Sequence, residues 1–285
     1  MNGKPVIPIH LWPLFMIVVL LSGCQQSGMQ FDLDKAIKYA QKAHQATRTI
    51  DEPEEIRMGG GISANLLGAS PLLNDDRVQQ YVNRVGRWVS LHTERPDLPW
   101  KFGVLDTTDV NAFATPGGTI FITRGLLQRL NNESELAGVL AHESVHVLRR
   151  HHLIALQKSA KLDLASDLLD EAMKDNDSEI LKKAVKAGTE IYARGLDKND
   201  EFEADKMGIV IATRAGYDPY GLAAVLQMLD AGNAQDSALA LMFKTHPAPR
   251  DRLSLLDQIM GKRFDDYQTP VQTDQRFRSE VAQRM

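Results

Sequence analysis

A single cysteine, Cys24, stands in 285 residues. The chain therefore closes no disulfide on itself and builds neither a Cys-rich zinc site nor an iron–sulfur cluster. Any metal it holds is held by histidines and carboxylates. Neither sign of charge dominates: 33 Lys+Arg meet 37 Asp+Glu, for a formal net charge of -4. Without a basic surplus there is no electrostatic footprint for a polyanion, and nucleic acid is not an expected partner. Long hydrophobic runs are scarce too, and the only one, residues 11–21, is shorter than the roughly 20 residues that a membrane-spanning helix needs. What is present is ordinary for a folded protein, since 43% hydrophobic and 25% charged residues are enough for a substantial core.

The short apolar run follows Lys4 and precedes Ser22-Gly23-Cys24, the pattern of a secretory signal rather than of a folded element. Leu21-Ser22-Gly23-Cys24 resembles a lipobox. That resemblance implies a lipoprotein signal peptide over residues 1–23, diacylglyceryl attachment at Cys24, and a lipidated N-terminus and linker over residues 24–32. Each buried methylene of an acyl chain contributes about 0.8 kcal/mol to membrane association, so several chains on one residue make a firm anchor. The expected location is the bacterial envelope, facing the periplasm. Gln25 and Gln26, where an Asp would mark the inner membrane, favour the outer membrane by analogy.

Residues 33–262 read as one mainly α (α+β) domain, with residues 263–285 as a polar, loosely held tail. Apolar residues recur at helical spacing in Leu33, Ile37 and Ala40, and again in Val78, Tyr81, Val82, Val85 and Val89. Gly59-Gly60-Gly61 reads as a flexible joint between two helices, since neither a preceding strand nor a following Lys-Ser/Thr supports a phosphate cradle. Residues 101–105, 111–115 and 119–123 read as short strands, the last two separated by the turn Pro116-Gly117-Gly118, and together they predict a small antiparallel sheet. Helical patterns then dominate. The Ala/Leu/Lys/Asp-rich residues 153–191 predict two amphipathic helices, either a packed pair or a lid, and residues 196–285 carry no fixed-period repeat.

The chemistry is concentrated after Asn132, an N-cap residue with Glu135 at the reciprocal capping position. The apolar residues 136–141 mark a helix buried on most sides, and into it are set His142-Glu143-Ser144-Val145-His146. Imidazoles and a carboxylate in a desolvated helix are costly unless paired. Residues four apart share a helix face, so His142 and His146 can aim ring nitrogens at one Zn2+, with Glu143 in reach of a water on that ion. A catalytic zinc site needs a third protein ligand. Glu201 and Asp205, also four apart, can supply that ligand and a carboxylate to orient one of the imidazoles, with Glu203 expected to point elsewhere; a solvated helix face is the other reading of these acids.

These motifs, together with residues 111–126 and Thr245-His246-Pro247, resemble the zinc metallopeptidases related to the CAAX prenyl proteases and HtpX, most closely their soluble periplasmic branch. The resemblance covers roughly residues 50–260. It implies a helical gluzincin fold with a short sheet beside the metal helix, one zinc ion and peptide-bond hydrolysis. The chain departs from some members in lacking their transmembrane helices and C-terminal helical repeats, and in having Lys198 where an Arg is common. On this reading zinc sits on His142, His146 and Glu201, Glu143 is the general base and later the acid, and Asp205 fixes a ligand imidazole.

Asn111, Ala112, Phe113 and Ala114 are expected to form an edge strand that pairs with an extended substrate; an internal hairpin of purely structural value is the other reading. His246, on a loop before Pro247, has three roles open to it: a fourth ligand in a resting state, an oxyanion donor, or packing. Arg252 is expected to salt-bridge near the cleft. His151 and His152 are expected to meet the dipole at the end of the metal helix without touching metal, and His44 and His92 to lie on the surface. The leading expectation is a lipid-tethered zinc endopeptidase acting on unfolded, misfolded or damaged envelope proteins. A dedicated processor of one partner is a narrower form of it. A zinc-containing chaperone or adaptor with little turnover is the alternative, against which Glu143 counts, because binding alone needs no base.

Overall fold

The computed structural model describes residues 49–159, 195–232, 236–267 and 272–284. The signal, Cys24, the helix expected around residues 33–40, His44, and most of the stretch expected to form a packed pair or lid lie outside the described residues.

Helix α1 (Glu52–Ala69) opens at Asp51, whose carboxylate accepts from Glu54 N at 2.9 Å, with a proline in its first turn. The joint expected at Gly59-Gly60-Gly61 is instead part of this helix. A close approach explains the first glycine: a Cβ on Gly59 would lie 1.6 Å from the Pro116 carbonyl oxygen, whereas one on Gly60 or Gly61 meets nothing within 4 Å. The hairpin turn thus docks on the bare backbone of α1. Helix α2 (Asp76–Ser90), capped by Asp75, buries the whole expected stripe of Val78, Tyr81, Val82, Val85 and Val89.

Three strands follow, β1 (Lys101–Leu105), β2 (Ala112–Thr115) and β3 (Thr119–Thr123), in the order β1-β3-β2. The sheet is mixed rather than antiparallel. β2 and β3 form the expected hairpin, but β1 runs parallel to β3, from Lys101↔Thr119 to Leu105↔Thr123. The connection after β1 carries the chain past the central position, so β2 takes the far edge and the hairpin returns β3 between the two, pointing the same way as β1. Gly117 and Gly118, at φ 79 and 100, turn the hairpin in the region that glycine alone adopts without strain.

Beyond α3 (Arg124–Leu127), the central element is α4 (Glu133–Leu148), every residue of which is buried. Around it stand the sheet, α2, α5 (Lys198–Arg214) and α6 (Gly221–Ala231). α5 comes close enough to α4 that a Cβ on Gly208 would lie 3.0 Å from His142 Cα. Helix α7 (Ala240–Thr245) leads into α8 (Pro249–Met260), and α9 (Gln272–Phe277) follows. The chain end, expected to be loosely held, is docked: Phe277 and Val281 are each 1% exposed, and Phe277 meets Tyr81 edge-on at 6.3 Å. Those two apolar residues at helical spacing anchor an otherwise polar segment. Among the described residues no strand follows the sheet, and no helix is long and apolar enough to cross a membrane.

Candidate metal centre

Asn132 caps α4 as expected, accepting from Glu135 N at 2.9 Å, while the Glu135 carboxylate reaches back one residue further, to Asn131 N at 2.7 Å. The forward bond of the capping box therefore forms, while the return bond goes to the residue before the N-cap. Two turns further on, the helix presents His142 and His146 with their Nε2 atoms 3.1 Å apart. α5 brings Glu201 alongside, its Oε2 3.6 Å from His142 Nε2 and its Oε1 3.6 Å from His146 Nε2. His246, at the end of α7, brings its Nε2 to 3.9 Å from Glu201 Oε2 and 3.8 Å from Glu143 Oε1. One ligand atom from each of His142, His146, Glu201 and His246 lies within 4.8 Å of the others.

Both oxygens of Glu201 are buried without a hydrogen-bond partner among the described residues, in a residue 1% exposed. An ionised carboxylate left so is strongly unfavourable unless a cation supplies the missing interaction. The spacing fits such a cation: two ligands about 2.0–2.1 Å from a tetrahedral zinc stand about 3.4 Å apart, against the 3.1 and 3.6 Å separations here. All-nitrogen and oxygen donors of this kind suit zinc.

The surrounding residues hold the donors in place. His142 Nδ1 lies 3.0 Å from Asp205 Oδ1, close enough for that carboxylate to orient the ring. Arg252 donates through Nε to Asp205 Oδ2 at 2.8 Å and is 4% exposed, so the arginine expected near the cleft is a buried brace of that carboxylate. Burial and Arg252 pull the His142 imidazole down, but the neighbouring Asp205 and Glu201 carboxylates outweigh them and its pKa rises to about 9. Burial pushes His146 well below the usual range, and the neighbouring His142 adds to the push. Burial acts to raise the Glu201 carboxyl, yet His246, His142 and Arg252 together bring it down to about 2. Asp205 is likewise held well below the carboxylate range, Arg252 overcoming its burial. Protons and a metal ion compete for the same imidazole nitrogens. Glu203 points away, accepting from Arg149 Nε at 2.9 Å.

Glu143 lines a cleft with His146, Glu201, His246, Ala112, Phe113 and Ala114. The bond from Thr123 N to Asn111 O at 3.0 Å fixes the phase of the hairpin ladder. Because hydrogen-bonded pairs alternate, Phe113 turns its peptide groups to β3, and Ala112 and Ala114 turn theirs to the opposite side. Asn111 stands just before β2. It is fully buried, taking Thr123 Oγ1 on its backbone N–H at 3.0 Å and donating from Nδ2 to Thr245 Oγ1 at 3.4 Å. It braces β2 against the residue next to His246 rather than facing the cleft.

Three residues have surroundings that the sequence does not foretell. Glu133, 0% exposed, accepts from Tyr81 Oη at 2.6 Å and Tyr217 Oη at 3.0 Å and is paired with Arg276. His151 is 3% exposed and opens a new helical stretch after the end of α4, with its Nδ1 2.9 Å from His146 Nδ1. His152 lines the cleft, and burial lowers its pKa to about 4. No spacing rule in the sequence points to any of them. Lys198 pairs with Asp251 at the surface, and His92 meets Trp88 edge-on.

A buried helix bearing His-Glu-x-x-His, joined by a glutamate from a second helix, defines a metallopeptidase of the gluzincin type. The chain belongs to peptidase family M48, whose family model matches residues 73–260. It is 33% identical over 216 residues to the beta-barrel assembly-enhancing protease of Escherichia coli (strain K12), a match covering 73% of this chain and 44% of that protein. It is 28% identical over 181 residues to the mitochondrial metalloendopeptidase OMA1 of Schizosaccharomyces pombe, covering 62% of this chain and 52% of that one. With the metalloprotease YcaL of Escherichia coli (strain K12) it shares 26% identity over 247 residues, 82% of this chain and 89% of that protein. The chain thus spans about half the length of the first two relatives and most of the third.

Proposed function

We propose that this chain is a zinc-dependent metalloendopeptidase of the bacterial envelope, with zinc held by His142, His146 and Glu201 and with Glu143 as the catalytic residue. The observation that carries the reading is the buried Glu201 carboxylate, which lacks a hydrogen-bond partner and faces the two converging imidazole nitrogens. When bound, zinc supplies Lewis acidity, which makes water nucleophilic near neutral pH and polarises the scissile carbonyl.

The rest is done by the protein. Glu143, 3% exposed and on the cleft wall, accepts the proton of the attacking water and delivers it to the leaving amine. Asp205, braced by Arg252, holds the His142 ring in the tautomer whose Nε2 is available for the ion. Ala112, at the edge of the sheet, presents its peptide groups to an extended substrate, and a backbone-to-backbone contact reads little sequence. His246 lies within reach of both Glu143 and Glu201, which favours a fourth ligand or an oxyanion donor over packing. His246→Ala separates these two by sign, since loss of a blocking ligand raises turnover and loss of a donor lowers it.

An envelope location, with unfolded or misfolded envelope proteins as substrates, is supported by the similarity to the beta-barrel assembly-enhancing protease and by the lipobox-like residues ending at Cys24. Anchoring through acylated Cys24, with the outer membrane preferred, belongs to the same proposal. The test is cleavage of casein or an unfolded protein with and without a chelator, beside Glu143→Gln. Chelator-sensitive cleavage that Glu143→Gln abolishes supports the reading, and equal cleavage in all arms rejects it. Cys24→Ser should abolish labelling by a fatty-acid probe; persistent labelling would refute the anchor.

A further inference from the structure

The zinc reading above leaves one ligand without an assigned orienting partner. His142 has Asp205; among the described residues no carboxylate or carbonyl meets His146 Nδ1, and what meets that atom is the Nδ1 of His151 at 2.9 Å. We propose that His151 is a positioning residue of the metal centre, accepting the Nδ1–H of His146 and so fixing the ring whose Nε2 faces the ion.

The backbone is arranged for this contact. At about 100° per residue, an unbroken helix would carry residue 151 about 140° round from residue 146. α4 instead ends at Leu148, and Arg150 takes φ 57, a left-handed conformation that a residue with a Cβ adopts only when its surroundings hold it there. They do hold it: the guanidinium pairs with the buried Glu55 Oε2 at 2.9 Å and donates to Ile50 O at 3.2 Å. A new helical turn then starts, with Ile154 N on Arg150 O at 2.9 Å. The break swings His151 back under the metal helix, its ring 5.2 Å from that of His146 at 66°.

The protons follow from the geometry. A neutral imidazole that offers Nε2 to a metal carries its hydrogen on Nδ1. Two Nδ1–H groups cannot share a 2.9 Å contact, so His151 must present a bare Nδ1 and keep its own hydrogen on Nε2. That Nε2 faces Asp200 Oδ1 at 3.7 Å and Glu203 Oε2 at 3.6 Å, both on α5. The same helix carries Glu201, so His151 links the two ligand-bearing helices behind the metal centre. It replaces the carboxylate that usually backs a ligating histidine.

The experiment compares the full chain with His151→Leu, which removes the acceptor, and His151→Asn, whose Oδ1 restores one close to the position of Nδ1. Zinc affinity is measured by chelator competition, coordination by the visible spectrum of the Co2+-substituted protein, and packing by thermal unfolding after metal removal. The expected result is a roughly 10–100-fold loss of zinc affinity in His151→Leu with altered Co2+ bands, and recovery of most of that loss in His151→Asn. The metal-free unfolding temperature should fall far less than the affinity. Unchanged zinc affinity in His151→Leu, or a loss that Asn does not recover, overturns the proposal. Should the Leu variant fail to fold, His151→Asn decides alone: affinity close to wild type upholds the acceptor role, and a loss of roughly tenfold or more rejects it. A wild-type protein that binds no zinc would defeat the parent reading as well, whereas tight wild-type binding with a silent His151→Leu defeats this inference only.

Discussion

Glu133 at the start of α4 and Glu201 on α5 are equally shut off from water, at 0% and 1% exposure, yet their surroundings are opposite. Glu133 is saturated: Tyr81 and Tyr217 donate hydroxyls to it and Arg276 supplies the charge, joining α2, α4 and the chain end at one carboxylate. Burial, reinforced by Glu133, drives both tyrosine hydroxyls far above their usual range, so they stay protonated as donors. Glu201 accepts no hydrogen bond and faces imidazole nitrogens. Burial alone therefore does not distinguish a brace from a ligand. The partners do.

The comparison can be broken or sharpened by substitution. The largest effect is expected at the cleft: Glu143→Gln should lower peptide hydrolysis by about 10²–10⁴-fold and leave bound zinc in place, as checked by turnover and elemental analysis. Next, Glu133→Ala removes the shared acceptor of three buried or half-buried donors and should cost about 3 kcal/mol in denaturant unfolding. Glu201→Ala should leave the metal-free protein no less stable; a loss equal to that of Glu133→Ala would erase the distinction between the two acids. Smaller is the effect of Gly59→Ala, which forces a Cβ against Pro116 and should destabilise by about 2 kcal/mol. Gly60→Ala, in open space, should stabilise by about 0.5–1 kcal/mol, and thermal melts of the pair read the sign directly. Smallest, Ala112→Pro removes an outward N–H and should weaken peptide cleavage about 3–10-fold with zinc content unchanged; unaltered turnover would argue for a purely structural hairpin.

The converging residues of the candidate metal centre were legible because their signal is local. His142 and His146, and Glu201 and Asp205, are pairs four apart, and helical periodicity alone puts each pair on one face. The stripe on α2 and the cap at Asn132 are local in the same sense. What the sequence concealed depends on residues distant along the chain. The parallel pairing of β1 with β3 follows from the path of the connection, which leaves no pattern in the strands themselves. Gly59-Gly60-Gly61 carries the composition of a joint, and only the Pro116 carbonyl against Gly59 explains a glycine inside a helix. An unbroken helix would turn His151 away from His146, and the break at Arg150 that brings it back is held by Glu55 from α1. The tail looked loose because Phe277 and Val281 are two apolar residues in a polar stretch, and the core that receives them lies on α2 and α4.

Zinc stoichiometry, measured by elemental analysis on gently purified full chain beside Glu201→Ala, tests the metal centre most directly. The expected result is one zinc per wild-type chain and a large loss in Glu201→Ala, whose metal-free fold persists by circular dichroism. Wild-type protein devoid of zinc after incubation with the ion, or a Glu201→Ala protein that keeps it as tightly, would contradict a centre built from His142, His146 and Glu201.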